Sequence, residues 1–279
     1  MEVSLAEYCG FCYGVKRAVN LALTTKADNK DKEVYTLGPI IHNPQMVEHL
    51  AEQGVGVIEK IEDAPQNATV IIRSHGVGPS VYEKATNLGI EIVDATCPHV
   101  KKAQMAGHEL IKDGCKIIIL GEAHHPEVRS IFLWTDEKAT IVETLEDAEK
   151  LPFFEKIGVV AQTTFSSKEF NEIIEVIKTK CRELKVERTI CTATDNRQRA
   201  AIDLANNMDI MIVVGGKNSA NTTRLAKTCE NAGCRTYHIE TADELVRSWF
   251  DGVQKIGITA GASTPEWLIQ DVYKKLSKL

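Results

Sequence analysis

A chain of 279 residues with 43% hydrophobic content is long enough to build a globular core, and a net charge of −6 excludes a surface that captures nucleic acid by bulk positive charge. The longest apolar runs, 117–120 and 210–214, fall far short of the about 20 residues of a membrane span. Eight cysteines in a long chain whose start carries no export signal read as reduced thiols, and the expected location is the cytoplasm.

The chain opens on a strand-like run, Met1-Glu2-Val3-Ser4-Leu5, and reaches Cys9-Gly10-Phe11-Cys12 before a helical segment carrying Lys16 and Arg17. The CxxC reads as a redox dithiol or half a zinc site, and no second CxxC completes the zinc reading. A strand is expected at 34–37, followed by Gly38, His42 and a helix opening on Pro44, with Asn43 as its cap. The strand at 69–73 runs into Arg73-Ser74-His75-Gly76, ahead of a helix from Pro79 that Gly89 closes. After a strand at 90–94, Cys97-Pro98-His99-Val100-Lys101-Lys102 starts the next helix, which ends near Gly114. The strand at 116–120 leads through Gly121 to His125-Pro126-Glu127, again a helix start. Further strands at 140–143 and 157–161 follow, the second ending in Gln162-Thr163-Thr164. Cys191 precedes a helix with Arg197 and Arg199. The strand at 209–214 runs through Gly215 to Lys217 and Ser219, with Asn221 two residues on. Strands at 235–239 and 255–259 complete the series; the last ends in Gly261-Ala262-Ser263 before a helix from Pro265, with Ser263 and Glu266 spaced as a cap.

This alternation of β-branched runs with amphipathic helices predicts an α/β fold of parallel sheets wrapped by helices, the polar loops lying at the strand C-terminal ends where such sheets bind ligands. The order repeats: a cysteine, a helix, a strand, a glycine and four residues later a polar side chain (Gly38 to His42, Gly121 to His125, Gly215 to Ser219), then a second strand with a polar loop. The repeat divides the chain into three α/β domains, 1–96 with Cys12, 97–190 with Cys97 and 191–279 with Cys191, and suggests a pseudo-threefold site.

Three thiolates beside cationic residues and helix starts suit a metal or cluster, since cations favour the ligand form of the thiol. A 4Fe-4S cluster normally takes four cysteines, so three leave one iron open. His42, His75, Ser219, Asn221 and Ser263 lie where helix starts offer N–H groups to phosphate oxygens. Lys217 and Arg224 flank that set. His125 and Glu127 place an imidazole and a carboxyl in one turn, suited to proton donation to a leaving hydroxyl, and Thr163 and Thr164 to orienting it. Cys115, Cys181, Cys229 and Cys234 read as buried structural thiols. Two other readings use the same residues: a zinc-dependent phosphohydrolase with His42, His75, His125 and Glu127 as ligands, and a non-catalytic iron–sulfur carrier in which Cys9 closes the cluster.

Residues 6–15 (AEYCGFCYGV), Gly38-Pro39-Ile40-Ile41-His42-Asn43, Arg73-Ser74-His75-Gly76-Val77, Asp94-Ala95-Thr96-Cys97-Pro98 and His125-Pro126-Glu127-Val128 resemble the LytB/IspH family of 4-hydroxy-3-methylbut-2-enyl diphosphate reductases. Gln162-Thr163-Thr164, Asn196-Arg197-Gln198, Lys217-Asn218-Ser219 and Gly261-Ala262-Ser263 extend the resemblance along the chain. It implies a trefoil around a central iron–sulfur cluster cavity, a 4Fe-4S cluster on Cys12, Cys97 and Cys191 with one open iron, and reductive removal of the substrate hydroxyl to give isopentenyl and dimethylallyl diphosphates. It further implies that His42, His75, Ser219, Asn221 and Ser263 hold the diphosphate, that Glu127 is the proton source, and that His125 and Thr163 position substrate and proton. The expected partners are the small-molecule diphosphate and a ferredoxin or flavodoxin electron donor, with neither nucleic acid nor membrane, and the expected state is a monomer. Two positions depart from the pattern: Ala220 stands where the family often has a second serine, and Cys9 where no cysteine is expected.

Overall fold

In the computed structural model, which describes residues 1–278, strands and helices alternate along most of the chain. The elements are β1 (Glu2–Leu5), α1 (Tyr13–Asp28), β2 (Val34–Leu37), α2 (Pro44–Glu52), β3 (Val55–Ile58), β4 (Thr69–Ile72), α3 (Pro79–Leu88), β5 (Glu91–Asp94) and α4 (Pro98–Lys112). They continue as β6 (Lys116–Leu120), α5 (Pro126–Trp134), β7 (Thr140–Val142), α6 (Leu145–Glu149), β8 (Phe154–Ala161), α7 (Ser167–Lys178) and β9 (Cys181–Val186). The last are α8 (Thr192–Ala205), β10 (Ile210–Val214), α9 (Ala220–Asn231), β11 (Arg235–Ile239), β12 (Lys255–Ala260) and α10 (Glu266–Leu276). No helix among the described residues is long and apolar enough to cross a membrane.

The expected parallel α/β architecture is present as three four-stranded parallel sheets, ordered β3-β2-β4-β5, β7-β6-β8-β9 and β11-β10-β12-β1. Each sheet has the same plan: a first strand between the second and the third, and a fourth outside the third. In the last sheet the fourth place is filled by β1, the first strand of the chain, in register Val3 to Ile256. Two strands lie outside the sequence expectation, β3 and β9. Both are edge strands, hydrogen-bonded on one side and half-exposed, so Val55-Gly56-Val57-Ile58 and the charged Cys181–Val186 lack the apolar run that marks a central strand.

By contacts the chain divides into two compact units. One comprises 1–16, 41–49 and the residues from 192 onward, and the other 17–40 and 50–191. In the first unit the apolar run Ile210-Met211-Ile212-Val213-Val214 is buried on both faces of its sheet. Ile210, Ile212 and Val214 pack with Leu268, Ile269 and Val272 of α10, while Met211 and Val213 pack with Ala201, Ala205, Leu225 and Cys229 of α8 and α9. A central parallel strand therefore reads as continuously hydrophobic. The second unit repeats this: Ile118 and Leu120 face Phe170, Ile173 and Ile177 of α7, and Ile117 and Ile119 face Ala103, Leu110, Val128 and Ile131 of α4 and α5. Each fully buried Ile or Leu contributes about 1.5–3 kcal/mol of transfer free energy, which fixes the strand ends that carry the polar loops.

Three of the four helices expected to open on proline do so, at Pro44, Pro79 and Pro126; Pro265 instead precedes α10, whose first residue is Glu266.

Candidate functional site

The second unit carries the catalytic candidates. Because β6 and β8 pair directly, the loops at their C-terminal ends meet. His125 caps α5, its Nδ1 accepting the Glu127 backbone N–H at 3.2 Å, with Pro126 in the first turn. This places Glu127, 2% exposed, in the first helical turn, where the helix dipole favours negative charge. From the other loop Thr163 donates its backbone N–H to Glu127 Oε1 at 2.5 Å and its hydroxyl to Glu127 Oε2 at 2.9 Å. A buried carboxyl costs several kcal/mol unless its oxygens are satisfied. Here both are bonded by one residue, which also fixes the plane of the carboxyl group. Thr164 accepts instead from Gln162 Nε2 at 2.9 Å, within its own loop.

His75 lies in the loop after β4, its ring edge-on to that of His125 with centroids 5.4 Å apart. Ser130 Oγ donates to the His75 carbonyl at 2.8 Å and receives the buried Gln104 amide at 3.1 Å, so α4 and α5 together hold the histidine loop.

In the first unit the loops after the paired strands β10 and β12 converge. Ser219 caps α9, accepting the Thr222 N–H at 3.4 Å, and Asn221 Nδ2 is buried without a hydrogen-bond partner. Ser263 is not a helix cap: it is 7% exposed and donates its hydroxyl to the His42 carbonyl at 3.0 Å. Asn43 caps α2 as expected, accepting the Met46 N–H at 2.8 Å. Gly215 has φ +143°, and side chains at Gly215 or Gly261 would run into Thr264 and Thr222, so the two loops approach as closely as backbone permits. Thr222 Oγ1 lies in that contact, buried and without a hydrogen-bond partner. Lys217 is turned to the surface, where its Nζ pairs with Glu244 at 2.5 Å and its N–H binds Glu240.

Cys12, Cys97 and Cys191 share one backbone arrangement that the sequence reading lacked. Each donates its N–H to the carbonyl two residues past the third strand of its sheet: Cys97 to Ser74 at 2.9 Å, Cys191 to Thr163 at 2.9 Å, and Cys12 to Ala262 at 3.1 Å. Each is half-exposed and immediately precedes a helix, Cys97 as the N-terminal cap of α4. The Val15 N–H approaches Cys12 Sγ at 3.5 Å. In the second unit one residue, Thr163, therefore bonds Glu127 through its N–H and side chain and Cys191 through its carbonyl.

Two of the neighbouring arginines act as backbone braces, and the Arg197 charge also bears on the Cys9 thiol. Arg17 donates to the carbonyls of Thr96 and Asp94 at 3.2 and 3.3 Å, holding the approach to Cys97. Arg197, 4% exposed, donates to Gly10 at 2.6 Å, holding the approach to Cys12. Burial pushes the thiols of Cys9 and Cys229 up to about 12 and raises those of Cys115, Cys181 and Cys234. Burial disfavours the thiolate at all five, of which Cys115, Cys229 and Cys234 are fully buried and Cys9 and Cys181 half-buried. Cys9 packs against the apolar core of its own unit.

Asp94, three residues before Cys97, gives a pH-dependent readout of this corner. Burial pushes its carboxyl up, but bonds from Thr96 and from Lys101 at 3.0 Å outweigh it and hold it below the ordinary value of 3.8. A depressed folded pKa stabilises fully above the unfolded value of about 3.9, and the stability is lost as pH falls through the folded value. Asp94→Asn is therefore expected to cost about 1–3 kcal/mol at pH 7 in urea unfolding, and the gap to the parent chain to close as pH falls below about 3.9.

The family model described as LytB protein matches residues 3–277. The chain is 48% identical to the 4-hydroxy-3-methylbut-2-enyl diphosphate reductase of Caldanaerobacter subterraneus subsp. tengcongensis, over 100% of this chain and 98% of that protein. It is also 48% identical to that of Geobacter sulfurreducens, with the same coverage. The solved structure of an (E)-4-hydroxy-3-methyl-but-2-enyl diphosphate reductase, the terminal enzyme of the non-mevalonate pathway, superposes with TM-score 0.74 at 43% identity and full coverage of both chains. The Plasmodium falciparum reductase gives TM-score 0.92 at 30% identity, over 100% of this chain and 87% of that one. A family match over nearly every residue, relatives at almost half identity and a common α/β fold establish that this chain belongs to the LytB family.

Proposed function

We propose that the chain reduces 4-hydroxy-3-methylbut-2-enyl diphosphate, taking up two electrons and two protons, breaking the C–O bond of its hydroxyl and releasing water with isopentenyl or dimethylallyl diphosphate. The observation that carries this reading is the buried chain of bonds from Glu127 through Thr163 to Cys191, which ties a proton-bearing group to a thiol poised at a helix start. The donor chemistry of Cys12, Cys97 and Cys191 fits a 4Fe-4S cluster with one iron open: three half-exposed thiols in one repeated backbone setting, each just before a helix. That cluster, when bound, supplies the electrons.

The chain's own residues supply binding and protons. Ser219 and Asn221 at the start of α9, with His42, Ser263 and His75, hold the diphosphate; the unsatisfied Asn221 amide supports this role. When Glu127 is ionised its Oε2 accepts the Thr163 hydroxyl. When it is protonated the same contact reverses, and the Thr163 hydroxyl donates onward to the leaving oxygen. His125 fixes Glu127 in the first turn and lines the same loop. The electron donor is a ferredoxin or flavodoxin, the protein is a cytoplasmic monomer, and the repeats are 1–96, 97–190 and 191–279, with Glu2–Leu5 lending its strand to the third sheet.

The test is anaerobic turnover of 4-hydroxy-3-methylbut-2-enyl diphosphate with a reduced viologen dye, following dye oxidation and the two five-carbon products. Stoichiometric product formation is expected; iron-loaded protein that leaves the substrate intact overturns the reading.

A further inference from the structure

A cavity of about 220 Å³ opens in the second unit at the C-terminal end of the sheet β3-β2-β4-β5, facing α5. It is lined by Gly38 after β2, Glu59 after β3, Arg73 after β4, Val81 of α3 and Arg129 and Leu133 of α5, among others. His75, His125, Glu127 and Thr163 are not part of its wall, but their neighbours Gly76, Pro126 and Ser130 are, so it lies behind the loops that carry the catalytic candidates.

Its chemistry is that of an anion site with an apolar side. The Arg73 guanidinium lies over Gly38, where a Cβ would come within 2.7 Å of Nη1, so glycine keeps the space that the arginine fills. Arg73 Nε is buried and has no hydrogen-bond partner, a donor that burial alone would penalise. Burial also pulls the Arg73 guanidinium below its ordinary value, with the Glu59 charge opposing. Arg129 is exposed and lies over the Phe132 ring, leaving its planar fork at the cavity rim. Leu37, Val77, Val81 and Leu133 supply the apolar remainder. Two guanidiniums against one carboxylate leave the cavity with a net positive charge. The walls are fixed: Trp134 Nε1 donates to the Val77 carbonyl at 2.9 Å, and a Cβ at Gly78 would come within 2.7 Å of Leu133.

We propose that this cavity binds a second small molecule, a phosphate or diphosphate ester with a short hydrocarbon chain, its anionic end on Arg73 and Arg129 and its chain against Leu37, Val77, Val81 and Leu133. The volume lies somewhat below the about 300–1,000 Å³ of drug-sized sites and suits a ligand of a few carbons. Isopentenyl diphosphate belongs to this class; its choice as probe rests on the proposed function, whereas the arginine cavity does not.

The test is equilibrium dialysis of labelled isopentenyl diphosphate and, separately, inorganic pyrophosphate against the cluster-loaded full chain, the parent and the variants Arg129→Gln, Arg73→Lys and Glu59→Gln. Two sites per chain are expected in the parent. Arg129→Gln, on an exposed side chain, should weaken one of them about 10- to 100-fold. Arg73→Lys, which keeps the charge but loses the fork, should weaken the same one, and Glu59→Gln should tighten it. Pyrophosphate should bind this site more weakly than the ester, since it lacks the chain. A single site in the parent, or a second site indifferent to both arginines and to Glu59, overturns the proposal. If turnover of the proposed substrate fails but the arginine-dependent site is present, only the proposed function falls.

Discussion

Glu127→Gln is expected to lower turnover by about 10²- to 10⁴-fold while leaving the cluster and the fold intact. The amide is nearly isosteric with the carboxyl and can keep both contacts to Thr163: its oxygen accepts the Thr163 N–H, and its NH₂ donates to the Thr163 hydroxyl in place of accepting from it. Packing and stability are therefore conserved, and what disappears is a proton that can be given up. Thermal unfolding, iron content and turnover measured on the same preparation separate these effects. Thr163→Val should cost a similar factor, about 10²- to 10⁴-fold, because it removes the hydroxyl that passes the proton on and leaves the N–H bond in place. Full turnover by Glu127→Gln at neutral pH would remove this carboxyl from proton delivery.

Serine at Cys12, Cys97 or Cys191 is expected to drop bound iron and sulfide well below the about four of each in a complete cluster and to abolish turnover. A serine hydroxyl is a far poorer iron ligand than a thiolate, and burial disfavours the thiolate form in the other five cysteines. Cys9→Ala and Cys229→Ala are the controls; both should retain iron and turnover, with a modest loss of stability from the core cavity. Retention of a full cluster by Cys191→Ser, or its loss in Cys9→Ala, would overturn the assignment and make Cys9 a ligand.

Much of the site was legible in the sequence because its residues sit at strand ends before helix starts, and those boundaries announce themselves. Val34–Leu37 and Lys116–Leu120 begin and end as read from β-branched runs, and Pro126 marks the first turn that holds Glu127. Other features were not legible. The helix-cap spacing of Ser263 and Glu266 looked sufficient, yet the serine hydroxyl goes to the carbonyl of His42, more than two hundred positions away in the segment that leads into α2. Arg17 and Arg197 read as charges beside thiols; what the sequence did not show is that their planar guanidiniums, with several fixed donors, also reach backbone carbonyls in other segments.

The sequence by itself determined the α/β class, the threefold repeat of cysteine and polar loops, and the pairing of His125 with Glu127 in one turn, since each follows from local periodicity or from neighbours within a few residues. Only the tertiary structure decided that β1 completes the sheet of the last third, that Thr163 bonds both oxygens of Glu127, and that each cysteine hangs by its N–H from the loop after the third strand. Four apolar or polar residues carry no label for the strand they pair with. That choice is made by burial of both sheet faces and by satisfaction of backbone donors, which are properties of the folded chain.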